Sequence, residues 1–293
     1  MFTSAIKMNG ENPFFYSILA NSECHDFKMG VMKMKRLVIV CTSFIFISLI
    51  LTGISYANID PASVMGMWLF NDKNDVGKDS SKSGNNGDVS GKPEWTDKGK
   101  FGGGLHFDAT DDLIKVPMTI DYKEITVMVW VSEEGSPVRP RIVSNDHTDV
   151  SNKGFQLMYN TAGSGSWFDI GTGGAHVEAQ FAYVATVGEW YHYTGTYDGS
   201  KIRTYINAEM KVEVSASGAI ADSGIDVHIG SSTYGFSDGL KGLLDEVAIF
   251  NKALSADDIK KIMDNGLEKA TGMAAVKSTG KLAATWGGIK DQY

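Results

Sequence analysis

The sequence predicts an all-β fold: a two-sheet antiparallel jelly-roll sandwich with one short C-terminal helix. About thirteen short segments rich in Val, Ile, Thr and aromatic residues follow one another closely after residue 62. Many alternate apolar and polar side chains, and Gly, Asn and Asp separate them. Because no helical pattern is interleaved with these segments, the sequence favours two packed antiparallel sheets over a parallel α/β sheet.

The individual segments carry clear strand signals. In 124–132, Ile125, Val127 and Val131 share one face while Trp130 points to the other, so both faces of this strand are predicted to be covered. The turn sequence at 198–200 predicts a hairpin between its two flanking segments. The predicted strands are 64–70, 104–107, 112–116, 124–132, 141–145, 154–159, 166–171, 176–181, 190–197, 201–207, 211–215, 226–232 and 240–250.

One helix is predicted near the end of this region. Ser255 with Asp258 forms a capping-box variant, an apolar stripe follows, and Gly266 is placed to end the helix. The remaining segment, 269–293, is small, polar and rich in Gly, and its role is not predicted.

The N-terminal region predicts export. Residues 37–54 are uninterruptedly apolar, basic residues precede them, and the small-residue sequence at 55–57 follows, as in a secretory signal peptide cleaved before Asn58. We assign 34–57 to this signal and 1–33 to an extension outside the fold, with a start at Met32 or Met34 as one explanation for the extension. The run is also long enough to be an uncleaved signal anchor, in which case it is the protein's only link to the membrane.

Composition narrows the possible functions. The chain of 293 residues has a net charge of -8, which argues against a nucleic-acid partner because such partners need clustered Lys and Arg. Both cysteines, Cys24 and Cys41, precede the predicted cleavage site, so the exported part is not predicted to contain disulfides.

Six phrases of the sequence resemble a known family. VMGMWLFND, DSSKSGNNGDVSGKPEW and GKFGGGLHFDATDDLIKVP resemble the opening of bacterial laminin-G-like jelly-roll domains of the concanavalin A-like superfamily. EITVMVWVS, EWYHYTGTYDGSKIRTYIN and GLLDEVAIFNKALSADDI are similar to the middle and end of the same domains. The resemblance implies a single such domain over 62–268. The sequence departs from the family pattern at 207–208, where Ala rather than Gly follows Asn.

The resemblance also implies a structural calcium ion. In such domains a cation is held between the loop at 79–88, the first strand and the last strand, and oxygen ligands of this kind suit calcium. The implied ligands are Asn71, Asp79, Asn85, Asp108 and Asp245. The competing explanation is that the polar loop is a tight turn region, because Asn, Asp and Gly favour turns for backbone reasons.

Catalysis is not predicted. Sandwich-type glycoside hydrolases carry paired carboxylates at alternate positions of a strand, and no E-x-D-x-E pattern is present here. Asp245 and Glu246 are adjacent, so they are expected on opposite faces. His176, Gln180 and Tyr183 are only weakly similar to the residue set of a polysaccharide lyase.

We therefore expect an exported, non-catalytic binding or adhesion module. An extracellular glycan is the first expected partner, and the alternatives are a surface protein or a structural surface role. Trp167, Tyr234 and Phe236 lie in Gly- and Ser-rich stretches where rings can be presented to a sugar, although a core position is the competing interpretation for Trp167. Trp68, Trp130 and Trp190 are predicted to be core residues.

Overall fold

The computed structural model describes residues 59–136, 139–145, 152–160, 165–232 and 239–273. Within these ranges the chain forms fifteen strands and two α-helices. In chain order the elements are β1 (Val64–Trp68), β2 (Asp88–Ser90), β3 (Glu94–Gly99), β4 (Gly102–Asp108), β5 (Leu113–Val116), β6 (Ile125–Glu133), β7 (Arg141–Ser144), β8 (Lys153–Asn160), β9 (Gly165–Thr172), β10 (His176–Phe181), β11 (Trp190–Tyr197), β12 (Lys201–Ile206), β13 (Glu209–Ser215), β14 (Val227–Ile229), β15 (Lys241–Phe250), α1 (Ala256–Asn265) and α2 (Leu267–Thr271).

The strands form two antiparallel sheets, as predicted. The first sheet has the order β13-β12-β11-β6-β15-β4-β3, with β1 also paired to β15. The second has the order β10-β9-β8-β7-β14-β5-β2. All thirteen predicted strands are present. The strands β2 and β3 were not predicted, because they are largely exposed and their sequences lack a clear apolar alternation.

The main core lies between the two sheets and follows the pleat of the strands. Ile125, Val127, Val129 and Val131 of β6 point into it, as predicted from their alternation. Trp68 is also in this core. Trp190 is only half-buried, so its predicted core position is wrong; it is the first residue of β11, where fewer neighbours cover it.

A second, smaller core covers the outer face of the first sheet. Met128 of β6 and Phe250 of β15 pack there against Ile259 and Ile262 of α1 and Leu267 of α2. The strand β6 is therefore buried on both faces, as predicted. Trp130 is 4% exposed on this outer face.

The predicted helix is present, and a second helix follows it. The Ser255 hydroxyl accepts a hydrogen bond from the Asp258 amide, and the Asp258 carboxylate accepts one from the Ser255 amide, which completes the capping box. Gly266 ends α1 at a φ of 79°, a left-handed conformation that glycine adopts without a steric penalty. The chain then forms α2, which the prediction of one C-terminal helix omitted; at five residues it shows no sequence periodicity.

In the described part of the chain, no helix has both the length and the apolarity needed to cross a membrane. The apolar run at 37–54, on which the export prediction rests, and the extension at 1–33 lie outside the described residues, as does most of the tail at 269–293.

Candidate functional site

The loop predicted to bind calcium is organised by the Asp79 carboxylate. Its Oδ1 accepts hydrogen bonds from the amides of Met67 (2.9 Å) and Ser81 (2.8 Å). Its Oδ2 accepts from the Ser81 hydroxyl (2.8 Å) and the Asn85 amide (2.7 Å). The Asn85 side-chain amide in turn donates to the Met65 carbonyl at 2.6 Å. The structure thus brings Asp79 and Asn85 together and uses them to tie the loop to β1.

This arrangement does not fit calcium. An ionised carboxylate offers about four lone-pair positions, and four N–H or O–H donors already point at those of Asp79. A cation there would face hydrogen atoms that carry partial positive charge. In the described structure Asp79 is a hydrogen-bond acceptor at the centre of a loop.

Two other predicted ligands hold the β3–β4 hairpin. The exposed Asn71 accepts a hydrogen bond from the Gly103 amide at 2.9 Å, and Asp245 Oδ2 accepts one from the Phe101 amide at 2.8 Å. Asp245 is fully buried, and burial raises its pKa to about 7. Its Oδ1 has no hydrogen-bond partner among the residues that the structure describes.

The fifth predicted ligand, Asp108, lies at the end of β4 in a cluster of three carboxylates. Oxygens of Asp108, Asp111 and Asp112 lie within 4.8 Å of one another. Hydrogen bonds from the Thr110 hydroxyl and amide lower the pKa of Asp108, whereas burial raises the pKa of Asp112. Backbone amides donate to both Asp112 oxygens, and Thr110 donates to Asp108 Oδ1 and Asp111 Oδ1. The Oδ2 atoms of Asp108 and Asp111 receive none of these hydrogen bonds, and such carboxylate oxygens fit the ligand preference of calcium.

The five predicted ligands do not share one site. Asp108 pairs with Lys241, and Asp245 is four residues further along β15, which places the two backbones about 13 Å apart at the usual rise of a strand.

A different polar arrangement lies on the outer face of the second sheet. In β9, Phe168 and Ile170 point into the core, so Trp167 and Asp169 point outward. Trp167 is nevertheless only 7% exposed, and the Arg139 guanidinium lies 5.8 Å from the centre of a Trp167 ring. Its ring is therefore not presented to solvent, contrary to the sequence-based expectation. Tyr234 and Phe236 lie outside the described residues.

The outward side chains form a connected set that we call the outer-face network: Arg141, Gln156, Asp169, His176 and Glu178. Gln156, Asp169 and Glu178 are direct neighbours across β8, β9 and β10. Arg141 Nε donates to Gln156 Oε1, and Gln156 Nε2 donates to Asp169 Oδ2 at 3.3 Å. The Nε2 atom of His176 lies 3.3 Å from the same Asp169 oxygen.

The network is buried at its centre and open at one edge. Gln156 and Asp169 are each 1% exposed, whereas the Glu178 side chain is 48% exposed and Gln180 is also exposed. Burial raises the pKa of Asp169, although His176, Gln156 and the charge of Arg141 oppose this shift. The Oδ1 atom of Asp169 has no hydrogen-bond partner in the described part of the chain.

Sequence reasoning found only the edge of this network. The sequence pointed to His176 and to Gln180, which lies beyond Glu178 on the same face of β10. Tyr183, which was grouped with them, instead packs against Phe181 and Tyr191 with ring centres 5.9 and 5.7 Å apart. The alternate spacing of His176, Glu178 and Gln180 was the signal available in the sequence. Arg141, Gln156 and Asp169 come from separate strands, and only the pairing of those strands brings them together.

A family model described as the Concanavalin A-like lectin/glucanases superfamily, of the laminin-G type, matches residues 108–260, just over half of the chain. The chain belongs to this superfamily. A search of curated proteins gives no match.

Solved structures similar to this superfamily member include domain 4 of AbnA, a GH43 extracellular arabinanase from Geobacillus stearothermophilus, in complex with arabinotriose. That comparison gives a TM-score of 0.57 and 18% identity, and covers 69% of this chain and 98% of that domain. The binding domain of botulinum neurotoxin DC in complex with SialylT is also similar, with a TM-score of 0.54 and 17% identity over 71% of this chain and 52% of that chain. The same binding domain in complex with rat synaptotagmin II gives a TM-score of 0.53 and 15% identity over 71% of this chain and 53% of that chain. The chain spans about half the length of these neurotoxin domains. At these identities the likeness shows the fold alone.

Proposed function

We propose that this domain is an exported, non-catalytic module that binds an extracellular glycan at the β10 edge of the second sheet. The observation that carries the proposal is the polar row of His176, Glu178 and Gln180, which share one face of β10 at the edge of the sheet. This row combines an imidazole, a carboxylate and an amide, groups that hydrogen-bond to sugar hydroxyls.

The buried part of the outer-face network supports this assignment because it holds the row in place. Asp169 lies directly opposite Glu178 and contacts His176, while Gln156 and Arg141 fix Asp169 from the other side. A binding site whose polar groups are already oriented loses less entropy when the ligand binds. The complexes of similar domains with arabinotriose and SialylT also support a glycan ligand.

The same geometry argues against glycoside hydrolysis. Carboxylate oxygens of Asp169 and Glu178 lie within 4.8 Å, close to the separation of about 5 Å in retaining hydrolases. A bound sugar, however, must contact both groups, and Asp169 is 1% exposed. We therefore expect no hydrolysis of any glycan that binds.

The test is glycan-array binding by the full-length chain, with calcium and with chelator. We expect binding to one glycan class, with a loss of at least tenfold in affinity for Glu178→Ala and for Gln180→Ala. Glu209→Ala is the matched control, because Glu209 is an exposed carboxylate on the edge strand β13 of the first sheet. Equal loss in the control, or binding unaffected by both β10 variants, would refute the assignment of the site.

A protein partner is the second candidate, and the β10–β11 loop favours it. Val184 and Val187 are 60% and 62% exposed there, beside the edge-to-face rings of Tyr183 and Tyr191. Exposed apolar groups beside aromatic rings are typical of protein contacts. A blank glycan array together with binding of a surface protein that is lost in Val184→Ser and Val187→Ser would support this candidate.

We further propose that a calcium ion binds at Asp108, Asp111 and Asp112 rather than at the Asp79 loop. The expected result is a rise in melting temperature with calcium over chelator that is absent in Asp111→Asn. A shift of equal size in that variant would contradict this placement.

The proposed export is tested by measuring the intact mass of the protein. Cleavage at the predicted position makes Asn58 the first residue, whereas an uncleaved chain would be membrane-anchored.

A further inference from the structure

Three side chains of the outer-face network have the chemistry of metal ligands. His176 and Glu178 are alternate residues of β10 and share its outward face. Asp169 lies opposite Glu178 on β9, which pairs with β8 on one side and β10 on the other. The three side chains are therefore held by paired strands rather than by loops, which limits their relative movement.

The distances between these side chains suit a shared ion. The candidate ligand atoms of Asp169, His176 and Glu178 all lie within 4.8 Å of one another. His176 Nε2 lies 3.3 Å from Asp169 Oδ2, and the other ring nitrogen, Nδ1, lies 3.8 Å from Glu178 Oε1. Only one of the two nitrogens can bind a shared ion, and the other is then left to a hydrogen-bond partner. Imidazole with carboxylate is a ligand set that suits zinc and related transition ions, whereas calcium prefers oxygen ligands alone.

The buried carboxylate is an independent indication. Asp169 is 1% exposed, and its Oδ1 atom has no hydrogen-bond partner among the described residues. A buried carboxylate oxygen without a partner is costly, and a bound cation would compensate it. The other oxygen already accepts from Gln156, which Arg141 orients, as outer partners orient the carboxylate ligands of metal sites.

We propose that Asp169, His176 and Glu178 form a binding site for a divalent transition-metal ion, with Zn²⁺ as the best fit. Three protein ligands leave a fourth position of a tetrahedral ion to water or to an oxygen of a bound molecule. That position faces the open edge of the network, where the Glu178 side chain is 48% exposed. The site shares this edge with the proposed glycan contact, but metal binding does not depend on a glycan being the ligand.

The competing arrangement is an ion pair without metal, in which a protonated His176 lies between two carboxylates. The two arrangements differ in their response to added metal. A metal site takes up one ion per chain and releases protons as it does so, whereas an ion pair takes up none.

The experiment measures Zn²⁺ binding by the full-length chain in competition with a chromophoric chelator, with no glycan present. Co²⁺ substitution provides a visible spectrum that reports the ligand set. We expect one equivalent of Zn²⁺ to bind, with affinity reduced at least tenfold in His176→Ala and in Glu178→Gln. Asp111→Asn is the matched control, since it removes a carboxylate from the other acidic cluster and should leave this affinity unchanged.

Three outcomes would overturn the proposal: no Zn²⁺ uptake, uptake unaffected by both β10 variants, or a Co²⁺ spectrum identical in His176→Ala and the parent chain. Because Asp169 is buried and Asp169→Asn can impair folding, the test uses variants of the partly exposed His176 and Glu178 instead. Zinc binding without any glycan binding would support the metal site and refute the glycan proposal. Glycan binding without zinc binding would support the glycan proposal and refute the metal site.

Discussion

Glu246 is a buried carboxylate whose ionisation should control the stability of the domain. It lies in a bulge of β15 at a φ of 54°, is 2% exposed, and accepts a hydrogen bond from the Leu267 amide at the start of α2. Burial, together with the charges of Asp245 and Glu268, raises its pKa to about 8, although the hydrogen bond from the Leu267 amide opposes this shift. The folded state therefore favours the protonated acid.

The sign and size of the effect follow from this shift. The folded pKa lies above the unfolded value of about 4.3, so between these two pKa values the native chain binds more protons than the unfolded chain. The stability contributed by protonated Glu246 is therefore fully present below about pH 4.3 and is lost as pH rises through about 8. One proton is worth at most about 1.36 kcal/mol per pH unit, so three units between pH 5 and pH 8 give an upper limit of about 4 kcal/mol. Relaxation of the site lowers this figure, and we expect about 2 kcal/mol.

The perturbation is Glu246→Gln, which keeps an acceptor oxygen for the Leu267 amide but cannot ionise. The advantage of the variant over the parent in free energy of unfolding should grow by about 2 kcal/mol between pH 5 and pH 8. Urea unfolding followed by the fluorescence of the six tryptophans measures this difference. Some pH dependence should persist, because burial also raises the pKa of Asp245 to about 7.

The control is Glu209→Gln, an exposed carboxylate whose neutralisation should leave the pH profile unchanged. A parent chain equally stable at pH 5 and pH 8 would refute the reasoning. So would a Glu246→Gln profile parallel to that of the parent, since the buried charge would then not be the source of the dependence.

Three further predictions use the same unfolding assay. Asp79→Asn should cost about 2–3 kcal/mol, because its amide group would meet two hydrogen-bond donors, while the exposed Asp88→Asn should change little; equal effects would contradict the role of Asp79 in the loop. Ala208→Gly should stabilise by about 0.5–1 kcal/mol, since Ala208 has a φ of 62° that glycine adopts without strain, and a destabilised variant would refute this. Gly195→Ala should destabilise by about 3 kcal/mol, because the added methyl group would lie 2.1 Å from the Phe168 ring; a neutral result would show that the ring can move.

Much of the fold was predictable because it depends on local patterns. The alternation in β6 predicted which valines point into the core, and the residues at 255, 258 and 266 predicted both ends of α1. Both unpredicted strands, β2 and β3, lie largely exposed, so pairing rather than burial defines them. The departure at 207–208 was visible in the sequence, and both residues have a positive φ in the hairpin turn.

The candidate site was only partly predictable. Asp79 attracted attention as a carboxylate in a polar loop, but hydrogen-bond donors converge on it from β1 and from its own loop. Trp167 was expected at a ligand surface and does lie on an outer face, yet its ring is nearly buried. In neither case does the residue type alone reveal what surrounds it.

The sequence by itself determined the class of fold, the positions of most strands and the superfamily, because these depend on periodicity and on the order of motifs along the chain. Only the tertiary structure decided which polar side chains meet. Asp169, His176 and Glu178 converge because β9 and β10 pair in one particular register, and a shift of one residue would turn one strand's set toward the core. Strand register depends on the packing of the whole sandwich, which no local stretch of sequence specifies.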